Sequence, residues 1–167
     1  NEEDGVKLRG ILVELERNGV KVAALTETRA PSRLWGTVVQ VDDWTIYHAA
    51  NPAKGAAWAV RKSVAGLVVD WAPVSKRICR LDLRVKRGRP MRLLAVYAPT
   101  ATGEGREAQT EGFYRELEKQ ARGHARYAIL GDFNARLPVG VTAYTGPHGR
   151  EANQKPNDNT DDLQEFL

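Results

Sequence analysis

The sequence predicts an α+β protein in which two stacked, mainly antiparallel β-sheets are flanked by helices. Short strand patterns outnumber helical patterns, and Gly, Pro, Asn and Asp punctuate them at close intervals. The 167 residues are enough for one domain with a real core, and no repeat or boundary interrupts them. Residues 1–167 are therefore expected to belong to a single domain.

The first part of the chain is expected to form a helix, a strand and a hairpin. Apolar residues at helical spacing predict a helix over residues 6–18, which Gly19 ends. Val20 to Thr26 reads as a short buried strand. Thr37 to Val41 and Trp44 to Ala49 are strand-like on either side of two aspartates, which predicts a hairpin.

The remaining chain is expected to alternate strands with two further helices. A helix is predicted near residues 106–122, with Phe113, Leu117 and Ala121 on one face. A polar loop rich in Gly and Pro is predicted from Leu137 to Asn159, followed by a helix from Asp161 to Leu167. The predicted strands are Ala56 to Arg61, Gly66 to Trp71, Ile78 to Lys86, Met91 to Tyr97, and Tyr127 to Leu130.

The most chemically informative segment follows the last of these strands and reads Gly131-Asp132-Phe133-Asn134-Ala135. Glycine allows the backbone to turn. In extended backbone Asp132 and Asn134 would point to the same side. There the carboxylate could orient a water while the amide donates a hydrogen bond to an anionic group. The alternative interpretation is an Asx-rich turn after a buried strand.

Two earlier strands also end in polar groups. Glu27 follows a run of apolar residues, where a carboxylate is costly to desolvate unless it meets a cation or a donor. Tyr97 closes another apolar strand just before Pro99. Strand ends that converge at one rim of a sheet commonly build a site. Taken singly, Glu27 could instead be a capping or salt-bridge acid, and Tyr97 a half-buried core aromatic.

In this order the motifs resemble the endonuclease/exonuclease/phosphatase superfamily, the deoxyribonuclease-like fold. They are Leu25-Thr26-Glu27-Thr28-Arg29, Tyr97-Ala98-Pro99-Thr100 and Gly131-Asp132-Phe133-Asn134-Ala135, with Lys54 to Val60 similar to the family's glycine-led strand. Together with the late Thr145-Gly146-Pro147-His148-Gly149 run, they look most like endonuclease domains of non-LTR retrotransposons. The resemblance covers roughly residues 5 to 167 and implies a four-layer α/β sandwich.

The resemblance also implies a reaction and a role for each residue. It implies a magnesium-dependent phosphodiesterase that nicks DNA. In such a relative the equivalent of Glu27 holds Mg²⁺, and that of Asp132 orients and deprotonates the attacking water. The equivalent of Asn134 hydrogen-bonds the phosphate or the water, and that of Tyr97 donates to a phosphate oxygen. One or two carboxylates with waters and phosphate are typical magnesium ligands.

Some family features have no counterpart in this sequence. The family's opening strand with its asparagine and its closing Ser-Asp-His segment are missing, so the chain is expected to be a truncated, partial domain. Groups that stabilise a transition state act as a unit. Residues 1–167 alone are therefore expected to have little or no nuclease activity. A remnant that binds nucleic acid or protein without catalysis, or a phosphatase or phospholipid phosphodiesterase of the same superfamily, are the alternatives.

A basic window over residues 61–92 favours nucleic acid as the partner. It holds ten Lys and Arg side chains and two acids, within a chain whose formal net charge is +4. A local basic field suits a polyanion. Arg84, Lys86, Arg87 and Arg89 are the expected DNA contacts, since Arg80, Asp82, Arg84 and Lys86 alternate along one strand face. The alternative is a solvated hairpin whose Lys and Arg prevent edge-to-edge aggregation.

The composition bears on location and redox chemistry. The single cysteine, Cys79, excludes an internal disulfide and a cysteine-based zinc site, and its apolar surroundings predict a buried, inert thiol. No apolar run approaches the ~18 residues of a membrane span. A reducing intracellular compartment is expected, with the nucleus as one candidate, DNA as the partner and no membrane association.

Overall fold

The computed structural model describes residues 2–85, 88–100, 102–103, 105–137 and 155–167. The described residues form three α-helices and eight strands, in agreement with the predicted α+β class. The helices are α1 (Glu2–Arg17), α2 (Arg106–Ala121) and α3 (Asp158–Phe166). The strands are β1 (Val22–Thr26), β2 (Val38–Val41), β3 (Trp44–Ala50), β4 (Gly55–Arg61), β5 (Val68–Ser75), β6 (Ile78–Leu83), β7 (Met91–Tyr97) and β8 (Tyr127–Asp132).

The chain divides into two compact units. The first unit is Asn1–Tyr97 with Gly123–Gly131, and the second unit is Ala98–Arg122 with Asp132–Leu167. The first unit thus holds α1 and both sheets. The second unit holds α2, α3 and the segment that follows β8.

Each sheet has four strands. One has the order β1-β4-β3-β2 and is antiparallel throughout. The other has the order β5-β6-β7-β8, with β5, β6 and β7 antiparallel. The Arg92 amide donates to the Arg126 carbonyl and the Ala98 amide to the Asp132 carbonyl, so β7 and β8 run parallel. A parallel neighbour requires a long connection, and α2 lies within it.

The main core of the first unit lies between the sheets. Tyr47, Trp58 and Val60 from one sheet pack with Cys79 and Leu81 from the other. Trp58 is fully buried, and its indole N–H donates to the Cys79 carbonyl at 2.8 Å, which satisfies the one polar atom of the ring. A second cluster forms where α1 covers the outer face of the first sheet, with Leu12 against Trp44 and Ile46.

Most predicted elements are confirmed, and the differences lie at their ends. A 3-10 helix (Lys62–Leu67) occupies the start of the predicted Gly66 strand, and β6 ends at Leu83 rather than Lys86. The predicted loop ending at Asn159 is wrong at its C-terminal end because α3 begins at Asp158. The backbone amide of Asn157 donates to the Thr160 hydroxyl at 3.1 Å and caps that helix. Residues 138–154 of the loop, with the Thr145 to Gly149 run, lie outside the described residues.

Candidate active site

Glu27 and Tyr97 meet in the first unit. Glu27 follows β1 in one sheet, and Tyr97 is the last residue of β7 in the other. The Tyr97 hydroxyl donates to Glu27 Oε1 at 3.1 Å. The Tyr97 ring is 9% exposed, whereas the Glu27 side chain is 45% exposed. A buried ring thus orients an accessible carboxylate, and these two strand ends converge as predicted.

The backbone after β1 is held in an unusual conformation. Glu27 and Arg29 both have positive φ, at 50° and 46°, which side-chain-bearing residues adopt uncommonly. The Arg29 amide donates to the Lys54 carbonyl at 3.0 Å, tying this segment to the turn before β4. At Gly55, φ is 115° and a Cβ would collide with the Thr28 hydroxyl. Glycine is therefore required where the two segments approach each other.

A set of cations surrounds the Glu27–Tyr97 pair. Arg29 Nη2 contacts Glu27 Oε2 at 3.1 Å. Lys76 and Arg77 form the two-residue turn between β5 and β6. The Arg77 guanidinium lies 5.7 Å from the centroid of the Tyr97 ring and donates to the Tyr97 carbonyl at 3.1 Å. Lys54, Lys76 and Arg77 are called the strand-end cations below.

The strand-end cations influence one another. Burial lowers the pKa of Lys54, and the positive charges of Arg77 and then Lys76 lower it further. Burial lowers the pKa of Arg77, and the Tyr97 hydroxyl acts in the opposite direction. Within the described part of the chain, neither Lys54 nor Lys76 forms an ion pair. Like charges held together in this way favour a bound anion.

Asp132 and Asn134 meet in the second unit. The backbone N–H of Asn134 donates to Asp132 Oδ1 at 2.7 Å, and Asn134 has φ of 50°. This is an Asx turn, so the predicted extended geometry is wrong at Asn134 and the alternative interpretation describes the backbone. Asn134 Nδ2 donates to the Ala98 carbonyl at 2.8 Å. The Asp132 side chain is exposed and keeps acceptor capacity for a water or a donor.

Close contacts fix the chain just before the Asx turn and at Asn134 itself. In the first unit, Gly131 has φ of 147°, and a Cβ there would overlap the Val96 carbonyl oxygen. The backbone of Val96 therefore leaves no room for a side chain at position 131. In the second unit, the side chains of Asn157 and Asn159 donate to the Asn134 carbonyl at 2.8 and 3.1 Å. The sequence analysis missed both asparagines because it placed them in a loop.

The four predicted site residues thus form two contacting pairs, one in each unit. Tyr97 and Ala98 are consecutive in the chain, as are Gly131 and Asp132. A hydrogen bond to the Glu27 carboxylate joins the first pair, and a hydrogen bond to the Asp132 carboxylate joins the second. A single site built from all four residues stays a prediction.

The basic window is largely neutralised along its strands. Arg92 makes two hydrogen bonds of 2.8 Å to Asp82, with both side chains about nine-tenths buried. Arg80 pairs with Asp70 and approaches Asp82 at 3.9 Å. Arg80 and Asp82 thus share one face of β6, as the alternation predicted, but ion pairs engage both side chains there. Arg61 likewise pairs with Glu16 on α1.

The predicted DNA contacts lie at the hairpin between β6 and β7. Arg84 and Arg89 are exposed, and neither forms an ion pair among the residues that the structure describes. Lys86 and Arg87 lie outside the described residues. The assignment of these four residues to DNA stays a prediction.

Glu27 is the group that could hold a cation. In the described ranges, no group of three or more His, Cys, Asp and Glu side chains is arranged for a metal ion. A lone accessible carboxylate still fits Mg²⁺, which retains several waters and shares its remaining positions with phosphate. The donor set therefore fits magnesium better than a metal that needs a closed protein cage.

Comparison with known proteins gave no relative: neither a scan of protein-family models nor a search of curated proteins produced a match.

Two expectations drawn from the composition concern the single cysteine and membrane-spanning segments. Cys79 is fully buried, and burial raises the pKa of its thiol to about 12, as expected for an unreactive cysteine. Across the described segments, no helix is long and apolar enough to cross a membrane.

Proposed function

We propose that this chain is a magnesium-dependent phosphodiesterase with a deoxyribonuclease-like fold that nicks DNA, as endonuclease domains of non-LTR retrotransposons do. The proposal rests on the motif order given above and on one observation: the Tyr97 hydroxyl binds the Glu27 carboxylate beside the strand-end cations. An accessible carboxylate among cations suits a phosphodiester, whose charge needs neutralising while a metal ion binds nearby.

Each residue has a role in the proposed reaction. Glu27 would hold Mg²⁺, which supplies charge neutralisation at the phosphate. Asp132 would accept a proton from the attacking water, a contribution of about 10² to 10⁴ in rate. Asn134 uses one amide hydrogen on the Ala98 carbonyl, which leaves a second for a phosphate oxygen. Tyr97 would exchange its hydrogen bond to Glu27 for one to the phosphate.

DNA is favoured over a lipid or inositol phosphate because cations occur at two separate places. The strand-end cations flank Glu27, and Arg84 and Arg89 extend the charge along the hairpin between β6 and β7. A polyanion can use both sets at once, whereas a single phosphate group can use only one. The hairpin residues Lys86 and Arg87 would add to the second set.

A binding module without catalysis is the second candidate. Arg29 contacts one oxygen of Glu27 at 3.1 Å and Tyr97 contacts the other at 3.1 Å. A carboxylate engaged on both oxygens can serve as a structural link rather than as a metal ligand. In that case DNA would bind to the cations without being cut.

Nicking of supercoiled plasmid distinguishes the two candidates. The full chain would be assayed in Mg²⁺ and in EDTA, beside its Asp132→Ala variant. We expect magnesium-dependent nicking by the wild type and none by Asp132→Ala. DNA binding with no nicking under any of these conditions would favour the binding module and overturn the enzyme.

A further inference from the structure

Asn159, in the first turn of α3, joins the two chain segments that follow β7 and β8. It is buried, with 2% of its surface exposed. Its Nδ2 donates to the Pro99 carbonyl at 2.7 Å and to the Asn134 carbonyl at 3.1 Å. An amide nitrogen carries two hydrogens, so Asn159 uses its full donor capacity on these two carbonyls. Within the second unit, one side chain thus bridges both segments.

The bridge closes a ring of hydrogen bonds around Asn134. The Asn134 side chain donates to the Ala98 carbonyl at 2.8 Å, and the adjacent Pro99 carbonyl accepts from α3. The Ala98 backbone N–H donates to the Asp132 carbonyl at 2.8 Å. Asn134 is thereby held through its side chain, its carbonyl and its backbone N–H, which donates to Asp132 Oδ1. The ring therefore fixes where both side chains point.

Two features of this arrangement oppose stability. Asn134 has φ of 50°, which side-chain-bearing residues adopt uncommonly. Asn159 Oδ1 is buried and has no hydrogen-bond partner among the described residues, and an unmet buried acceptor is costly. Unfavourable local features of this kind concentrate at functional sites, where a fixed geometry matters more than stability. The bridge therefore suits a role in positioning better than a role in stability alone.

The Asx turn determines which atoms are available for the proposed reaction. Asp132 Oδ1 accepts from the Asn134 backbone N–H, so Oδ2 remains for a proton from water. Release of the Asn134 carbonyl would let that residue return to the extended conformation, and the turn would open. The Asp132 carboxylate would then lose its fixed direction. A misplacement of about 1 Å at a reacting group can reduce a rate by about 10².

We propose, on the basis of the phosphodiesterase function proposed above, that Asn159 is a positioning residue: by donating to the Pro99 and Asn134 carbonyls, it holds the Asx turn that aims Asp132 and Asn134. Because it is buried, Asn159 reaches neither substrate nor metal and acts only through Asn134. Asn157 donates to the same carbonyl at 2.8 Å but also caps α3, so a change at Asn157 would disturb the helix as well.

Hydrogen exchange of the Asn134 backbone N–H, followed by NMR without DNA or metal, tests the bridge itself. Asn159→Asp keeps the size of the side chain but replaces its donor group by an acceptor, and should speed this exchange about tenfold or more. Asn159→Ser keeps one donor and should give a smaller increase; it also replaces Asn159→Asp in every comparison if that variant does not fold. Leu163→Ala is the control, since Leu163 is buried in the same helix and its side chain cannot form a hydrogen bond. It should leave the exchange at Asn134 within about threefold of wild type.

Single-turnover cleavage of a labelled duplex in Mg²⁺, together with duplex affinity in EDTA, tests the consequence for the reaction. Asn159→Asp should cleave about thirtyfold more slowly or worse, with an affinity within about threefold of wild type. Asn159→Ser should have an intermediate rate. Leu163→Ala loosens the same helix and should cleave within about threefold of the wild-type rate, which a loss caused only by lower stability would not allow.

The outcomes separate the positioning role from the proposed function. If the wild type cleaves and both Asn159 variants cleave at its rate, the positioning role is overturned and the function stands. The same holds if Leu163→Ala slows cleavage as much as Asn159→Asp, or if affinity falls as far as the rate. No magnesium-dependent cleavage by the wild type would overturn the function and the positioning role together. Unchanged exchange at Asn134 in Asn159→Asp would overturn the positioning role whatever the activity.

Discussion

Cations along the strands of the first unit differ from cations at the ends of the same strands. Arg92 and Arg80 lie within the second sheet and are matched by Asp82 and Asp70. Lys54 and Lys76 lie in turns at the Glu27–Tyr97 end and form no ion pair within the described ranges. A count of basic residues treats the two groups alike. Only the second has charge available to a ligand, so position relative to acids determines where a polyanion can bind.

The ion pairs of Arg80 and Arg92 within the second sheet should matter for stability. Asp82→Asn would leave the Arg92 guanidinium buried without its carboxylate, and should lower the free energy of unfolding by about 3 to 5 kcal/mol. Urea denaturation would measure it. The same change at Asp42 is the control: its pair with Arg9 is about two-thirds exposed, and its loss should cost less than about 1 kcal/mol. An equal loss of unfolding free energy in the two variants would contradict the difference between the buried Arg92–Asp82 pair and the exposed Arg9–Asp42 pair.

The strand-end cations should matter for DNA binding. Lys54→Met with Lys76→Met should weaken duplex binding about tenfold at low salt. It should also reduce the slope of log affinity against log salt by roughly 2, about 0.9 for each lost phosphate contact. Fluorescence anisotropy in EDTA measures both quantities. Lys21→Met with Lys62→Met removes the same charge at the opposite ends of β1 and β4, and should have a smaller effect.

The hairpin between β6 and β7 should contribute less to duplex binding, per charge, than the strand-end cations. Changing Arg84, Lys86, Arg87 and Arg89 to Ala removes four charges and should weaken duplex binding at every sequence equally, with a shallower salt slope. Per charge removed, the loss should be smaller than for the strand-end cations, because the hairpin does not adjoin Glu27. An unchanged affinity and slope would show that these residues only solvate an edge.

Protonation of a buried histidine should give a small pH effect on the stability of the first unit. His48 is 7% exposed in β3, and burial lowers its pKa below the ordinary value of 6.5. The unfolded chain therefore takes up a proton first as the pH falls. Stability should be full above pH 6.5 and should decline from there down to the folded-state pKa. His48→Gln should flatten this decline. Thermal unfolding of the wild type and this variant at several pH values would measure it, and an unchanged slope would contradict the assignment to His48.

The sequence was sufficient for most elements and for the meeting of Glu27 with Tyr97, but not for the turn at Asn134 or for charge neutralisation. Periodicity located α1, α2 and seven of the eight strands closely, because amphipathic patterns are local. The Arg92–Asp82 pair depends on the antiparallel register between β6 and β7, which periodicity does not specify. Arg77 was counted in the basic window, yet its place over Tyr97 follows from a two-residue turn. Asn157 carried a usable signal, since Asn is a preferred N-cap residue.

We propose that Asp132 acts in cleavage while cations elsewhere hold the DNA. Single-turnover cleavage of a labelled duplex, with the protein in excess over DNA, tests this proposal most directly. Asp132→Asn should retain duplex affinity within a few-fold and lose cleavage by 10² or more. Lys21→Met with Lys62→Met should cleave at the wild-type rate. Cleavage by Asp132→Asn at the wild-type rate, or wild-type cleavage that persists unchanged in EDTA, would contradict the claim.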